Sequence, residues 1–510
     1  MMTKSFLLFS LLLSFSAWAQ PQLCKPELET LPVQAGGRVK PFHVFATETF
    51  RYISGTTSIE EGRRPVESFC RLTLKAFGMP AEIAVKVKVE HIDAKKLLGL
   101  KDSDSFILAT DLEPKMGLIK TEITKQKENN GYKKELNKIS GRFNAYESII
   151  QARAWTVPEV INGQVLWRPI AEFLTEDKVQ KRMESGDATP LLSIFRDVEA
   201  EYKKVETDHY LIELQYVKYN LFQWAMLVSL IAILVTVLIR KMSWGIALTS
   251  ITVIIQIVNI TLRVIISGRA PVTNMYETVM FSGLGGLILA LIIFSLRRER
   301  VYLIAGLCLN ILCLMMMKFA NNMLDPAISP LVPVLRDNFW LSTHVTTVIL
   351  SYAALALSWV IANIVLIKAR FFTISKADYK YQTDLIYTCI KFGVVLLSTG
   401  VILGGVWADY SWGRFWGWDP KETWSLIVLL VYMCILHGRY TSWIREQRFV
   451  PLVAGAFMSV MMAWFGVNYI LASGLHSYGF SEGGAVFLGS FFLIQIVVII
   501  LGVIGRKTPV

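Results

Sequence analysis

The sequence predicts an all-α polytopic membrane protein of about nine transmembrane helices with an N-terminal mixed α+β soluble domain. Three observations predict it. The 510 residues are 53% hydrophobic with a mean hydropathy of +0.45, too apolar for a soluble chain. Beyond residue 215 come nine apolar runs, each near the roughly 20 residues a helix needs to cross a bilayer. Before it lies a long polar stretch of mixed charge. The formal net charge of +12 does not point to nucleic acid, because the cations gather beside the apolar runs, as orientation in a membrane requires.

Residues 1–19 carry one lysine, an apolar core from Phe6 to Phe15 and Ala17-Trp18-Ala19, the layout of a cleaved secretory signal. Pro21-Gln22-Leu23 before Cys24 lacks the small residues of a lipoprotein cleavage site, so no lipidation is expected. Residues 20–215 form the predicted soluble domain, on the extracytoplasmic side. Ala81 to His91 alternates as a strand does, and Asp197 to Tyr219 reads as a charged helix running into the membrane. The domain shows no catalytic constellation. Its histidines, His43, His91 and His209, are isolated, and isolated histidines are more often ordinary surface or core residues than ligands. The six cysteines include no CxxC and no zinc-type spacing. Cys24 and Cys70 lie outside the apolar runs; an extracytoplasmic location permits them to pair, and spacing does not decide whether they do.

The nine spans of the region 216–510 are expected at about 220–239, 243–266, 278–296, 301–319, 345–368, 386–406, 423–443, 450–471 and 484–504. With the soluble domain outside, the connectors alternate. Arg240-Lys241, Arg297 to Arg300, Lys368 to Lys380, Arg439 to Arg448 and Arg506-Lys507 then all fall on the cytoplasmic side, and the C-terminus with them. Ser267 to Glu277, Asn321 to Thr343, Trp407 to Glu422 and Ala472 to Gly484 face outside together.

The third outer connector, a loop at 407–424, holds five of the fourteen tryptophans: Trp407, Trp412, Trp416, Trp418 and Trp424. One or two would be an interfacial belt. This density, interleaved with Gly, Asp, Lys and Glu, reads as a flat aromatic platform for a ligand. Two histidines share its face: His344 opens the fifth span and His476 follows the eighth, while His437 lies in the seventh toward the cytoplasmic end. Neutral imidazole is a good axial ligand for haem iron, and two histidines approaching from opposite faces fill both axial positions. Arg269, Arg336, Arg414 and Lys421 are outer-face cations available to haem propionates, although such cations also contact lipid phosphates or pair with Asp419 and Glu422. The bland readings are an interfacial anchor for the tryptophans and a helix-end anchor for His437, beside Gly438-Arg439.

Trp412-Gly413, Trp416, Trp418-Asp419, Glu422 and Trp424 together resemble the WWD motif of the haem-handling proteins of cytochrome c maturation. Within them the chain resembles the CcsA (ResC) subunits of the System II cytochrome c synthase. Supporting signatures are Ser267 to Glu277 and Trp340 to His344, and the likeness spans about 215–505. The resemblance implies haem b as substrate and bound ligand, with His344 and His476 as axial ligands of its iron and His437 as the family's transmembrane histidine. Trp412, Trp416, Trp418, Asp419 and Trp424 would present the haem. It further implies thioether attachment to the CxxCH segment of apocytochrome c, a holocytochrome c synthase activity with no side chain acting as acid or base. The family's second transmembrane histidine comes from a CcsB (ResB) part that this sequence does not show, so a CcsB-like partner is expected. The N-terminal domain resembles the extension of long CcsA proteins, which leaves its role undefined. The alternatives are a haem transporter or chaperone that hands haem to a separate ligase, and a structural scaffold anchored by tryptophan.

Overall fold

The computed structural model describes residues 23–79, 82–126, 131–184, 189–320, 323–331, 333–471 and 484–504. The predicted signal and His476 lie outside them. The chain divides into two compact units, Met1–Lys218 and Tyr219–Val510.

The first unit is mixed α+β. Among the described residues its strands form three two-stranded antiparallel sheets, β1 (Pro32–Ala35) with β2 (Arg38–Pro41), β3 (Lys86–Lys88) with β4 (Phe106–Leu108), and β5 (Thr156–Ile161) with β6 (Gln164–Pro169). The turns Gly36-Gly37 and Asn162-Gly163 all take positive φ, the geometry that two-residue hairpin loops demand. Helices α1 (Phe42–Ser54), α2 (Pro65–Leu74) and α3 (Gly131–Ile150) pack on one apolar core with Phe42 stacked on Trp155 at 4.4 Å. The alternation read at 81–91 buries Val85, Val87 and Val89 as expected, but the strand is only Lys86–Lys88. The partner segment around β4 is equally short, so the ladder stops there.

The expected helix from Asp197 to Tyr219 is two helices. α4 (Pro190–Val205) ends before Thr207, and α5 (Leu211–Tyr219) follows a short turn at Asp208–Tyr210. Tyr210 Oη donates to Thr30 O at 2.9 Å in that turn, and Arg38 grips the buried Glu213 with both terminal nitrogens, one at 2.7 Å. His91 caps a helix start, its Nδ1 accepting from Asp93 N at 3.2 Å. Burial holds the His43 pKa below the usual histidine value.

Cys24 and Cys70 form a disulfide across 46 residues of chain separation. A loop of that length stabilises the folded unit by about 4 kcal/mol in the chain-entropy estimate. Cys24→Ser is therefore expected to make the N-terminal unit protease-sensitive at temperatures the wild type tolerates, and reductant should do the same to the wild type. Equal digestion rates for wild type and variant would contradict this.

The second unit is all-α. Among the described residues nine helical segments are long and apolar enough to span a membrane. They are α6 (Leu221–Leu234, extended to Ile239 by a wider π-turn), α7 (Met242–Ser267), α8 (Met275–Arg297), α9 (Arg300–Phe319), α10 (Thr346–Phe371, preceded by a π-turn at Leu341–Val345), α11 (Lys376–Trp412), α12 (Pro420–Tyr440), α13 (Glu446–Met461, continued by a π-segment to Leu471) and α14 (Gly484–Ile504). α10 is the most buried, and its Ser351, Ala353, Ala354, Ala356, Ser358 and Ala362 let neighbours approach closely. Gly400 of α11 meets it there: a methyl at Gly400 would stand 2.7 Å from Val348 Cγ2.

Polar side chains fix helices that the hydrophobic effect cannot align in lipid. Asn310 of α9 accepts from Ser229 of α6 and Gln256 of α7, each at 3.2 Å, and returns a bond to Gln256 Oε1. One end of the bundle is locked by a buried ion pair. Arg263 of α7 (1% exposed) donates through Nε to Glu277 of α8 (0% exposed) at 2.9 Å and through Nη1 to Pro326 O at 3.0 Å. The other carboxylate oxygen of Glu277 accepts from Thr273 N at 2.8 Å and Thr273 Oγ1 at 2.7 Å. The Ser267–Glu277 signature is thus a loop tied down by its own glutamate, with Asn274 capping α8 through Glu277 N.

A cavity beside the tryptophan loop

The loop is shorter than the sequence reading. α11 continues through Trp412, so the connector is only Gly413 to Asp419. Asp419-Pro420-Lys421-Glu422 is a capping box with proline at the first helical position. Asp419 is buried and accepts from Lys421 N at 2.9 Å, while Glu422 accepts from Asp419 N at 3.2 Å and Gly417 N at 2.8 Å. Arg414 donates to Glu422 Oε1 at 3.3 Å and lies over the Trp412 ring at 5.6 Å. The acidic residues of the motif therefore hold the loop onto the start of α12.

Nor is the loop a flat platform. Trp416 and Trp418 meet edge to face at 6.0 Å and 86°, and Trp418 turns outward, 69% exposed, with φ +57°. The left-handed region is uncommon for so bulky a side chain. Trp412 is half-buried on the last turn of α11, and Trp424 packs half-buried on the membrane core.

Beside the loop opens a cavity of about 1100 Å³, its mouth included, with mostly apolar walls. Of the motif tryptophans, Trp416 lines it, joined by Trp407, Phe415, Trp464 and Tyr352. The starts of α8, α10 and α12 and the ends of α11 and α13 converge here, as alternating spans require. Two of the unit's π-segments supply wall residues, His344 with Val345 and Trp464 with Asn468; such wide turns often occur at functional sites.

His344 stands in this wall. Its Nδ1 donates to Gly400 O at 2.9 Å, which places the proton on Nδ1 and the lone pair on Nε2. The ring contacts Trp407 edge to face at 5.6 Å and 60°. Gly404 makes room for it, since a methyl there would stand 2.6 Å from His344 Cε1, and the neighbouring Gly405 makes room for Phe415. His437 is elsewhere. It is exposed on the last turn of α12, its Nδ1 donating to Met433 O at 2.9 Å. Sixteen residues of helix separate it from Lys421 at the cavity, ~24 Å at about 1.5 Å per residue.

The four candidate cations occupy different positions. Arg269 Nη2 donates to Ser329 O at 2.8 Å and to Thr273 Oγ1 at 3.3 Å, bracing the loop before α8. Arg336 is exposed, and Arg414 serves Glu422. Lys421 lines the cavity, its Nζ 3.4 Å from Asn468 Oδ1.

The sequence reading missed Gly404, Gly405, Phe415, Tyr352, Trp464 and Asn468. Phe415 lies in the connector and the others in apolar stretches of helix, and only packing brings them together. A Gly-Gly pair near a helix end was the one available signal.

The second unit is thus a polytopic helical bundle with a histidine in an aromatic-lined cavity at one end, and comparison with known proteins places it among membrane proteins of cytochrome c assembly. The family model "Cytochrome C assembly protein" matches residues 272–476, from Val272 in the cavity wall to His476. The chain is 34% identical over 290 residues to the cytochrome c biogenesis protein CcsA of Guillardia theta, covering 51% of this chain and 95% of that one. It is 35% identical over 227 residues to protein NrfI of Wolinella succinogenes, covering 42% of this chain and 24% of NrfI. Among solved structures, the cytochrome c haem lyase CcmF aligns with a TM-score of 0.41 at 15% identity, over 58% of this chain and 51% of that chain. The chain belongs to the CcsA family of cytochrome c biogenesis proteins.

Proposed function

We infer that the chain is the haem-handling subunit of a cytochrome c synthase, with haem b as its substrate and transient ligand. The observation that carries this reading is the setting of His344, whose Nδ1 is bonded to Gly400 O and whose Nε2 lone pair belongs to a ring in the wall of an aromatic cavity. In this reading His344 and His476 are the two axial ligands of the iron, and Trp416, with Trp407 and Phe415, supports the porphyrin. Trp412, Trp418, Asp419 and Trp424 act by shaping the loop and the start of α12.

Haem enters from the cytoplasmic side past His437, whose exposed position on α12 suits a ligand completed by a histidine of a CcsB-like partner. At the outer cavity the histidine of an apocytochrome CxxCH segment displaces one axial ligand. Each cysteine thiol then adds across a haem vinyl group, sulfur bonding to one carbon and hydrogen to the other, which requires reduced thiols. The protein's contribution is ligation, orientation and exclusion of side reactions, with no side chain acting as acid or base. The soluble domain and the cavity lie outside the cytoplasm, and the C-terminus inside.

The test is reconstitution. Co-expressed with a CcsB-like subunit in cells lacking other cytochrome c maturation, the chain should attach haem covalently to a CxxCH reporter, read by haem staining after denaturing electrophoresis. Haem copurifying without any covalent product would favour a haem carrier that serves a separate ligase.

A further inference from the structure

The cavity wall is uneven in its polarity. Glu422, the one carboxylate among the described wall residues, is already engaged by Arg414, Gly417 N and Asp419 N. Lys421 is not matched in this way. Among the described residues no carboxylate lies within 4.0 Å of its ammonium group, and its contact is the neutral Asn468 Oδ1 at the long distance of 3.4 Å. Asn468 is only 3% exposed and cannot easily turn away, because its Nδ2 donates to Trp464 O at 2.9 Å and approaches Met275 Sδ at 3.0 Å. Its oxygen is thereby aimed at Lys421.

A second donor lines the same cavity. Trp407 is 7% exposed, and its indole Nε1 has no hydrogen-bond partner among the described residues. An ammonium held by one long bond to a neutral oxygen, with Asp419 as its nearby negative charge, and an indole N–H without an acceptor, both set in apolar walls, favour an occupant that supplies negative charge and lone pairs.

We propose that Lys421, held by Asn468, is the counter-cation for a carboxylate of the cavity's ligand, with Trp407 Nε1 as an additional donor to the same ligand. The proposal rests on the haem reading above and makes the carboxylate a haem propionate. It separates Lys421 from the other outer cations: Arg269 and Arg414 brace loops, and Arg336 lies outside the cavity wall. The site then selects a planar apolar ligand by its aromatic walls and fixes the ligand's direction by one ion pair, leaving the opposite, vinyl-bearing edge to be presented elsewhere.

The experiment titrates the purified full-length chain with haem and with haem dimethyl ester, in which both propionates are neutral, following the Soret band. The wild type should bind haem roughly tenfold more tightly than the ester, the equivalent of one modest charge-assisted contact. Lys421→Gln should lose that preference by weakening haem alone, Lys421→Arg should keep most of it, and the Soret position should stay unchanged in both. Haem binding by Lys421→Gln at wild-type affinity would overturn the proposal while leaving the haem reading standing. Equal weakening of haem and ester would also overturn it, since Lys421 would then only support the fold. A wild type that binds neither ligand would overturn the haem reading itself, and this proposal with it.

Discussion

Purified His344→Ala is expected to lose the low-spin bis-histidine haem spectrum that the wild type should show, whereas His91→Ala should leave it intact. The contrast rests on what each imidazole does. His91 Nδ1 accepts a backbone N–H at a helix start in the soluble unit. His344 Nδ1 instead donates to Gly400 O, which orients the ring and leaves Nε2 basic. The supporting glycine gives a second, graded test. In Gly404→Ala the new methyl would stand 2.6 Å from His344 Cε1, so the ring must turn and strain its bond to Gly400. Outer-shell disturbances of this type typically weaken metal ligation roughly 10–100-fold. Gly404→Ala should therefore retain the helical fold by circular dichroism while haem binds at least tenfold more weakly. A wild-type spectrum and affinity in both His344→Ala and Gly404→Ala would refute the ligand assignment.

How much of this was legible in the sequence depends on whether the signal was local. The nine spans and the position of His344 at the start of one of them follow from hydropathy and length alone. The density of tryptophan marked the right connector, but not its geometry. The Asp-Pro-Lys-Glu segment was readable as a helix start, since Asp419 and Glu422 have capping-box spacing with Pro420 at the first position, yet the motif resemblance drew Asp419 toward the ligand. In the structure its carboxylate serves the cap. The continuation of α11 to Trp412 was hidden because Trp, Asp and Tyr at 407–412 read as an interface, although tertiary contacts of Trp407 keep the helix going. The π-turns that place His344, Trp464 and Asn468 differ from α-helix by one residue per turn, too small a change for an apolar pattern to record. Cavity residues such as Tyr352 and Trp464 were unreadable for a simpler reason: inside an apolar helix, sequence does not say which face meets which neighbour. The short strands of the first unit failed similarly, because the burial alternation of Val85 to Val89 outlasts the ladder that produces it.

The largest effect on stability is expected at the ion pair behind the cavity. Arg263→Ala or Glu277→Ala leaves the other member charged and buried among α7, α8 and the segment at Pro326, and removing one partner of such a pair costs about 3–5 kcal/mol. Both variants should melt well below the wild type in detergent and expose the cysteines that the native bundle covers, Cys313 and Cys389. The double replacement Arg263→Met, Glu277→Leu removes both charges and keeps comparable volume, so much of the lost stability should return. Haem affinity should not return with it. Glu277 also anchors Thr273 by two hydrogen bonds, and Thr273, Asn274 and Met275 are cavity wall. Without the carboxylate, Met275 is less well placed against Asn468, and with Asn468 goes the alignment of Lys421. The expected signature is a melting temperature restored in the double variant while haem binding stays weakened. Single variants that melt with the wild type would show that the bundle end is held by something other than this pair; full recovery of haem affinity in the double variant would show that the pair stabilises the fold without shaping the cavity.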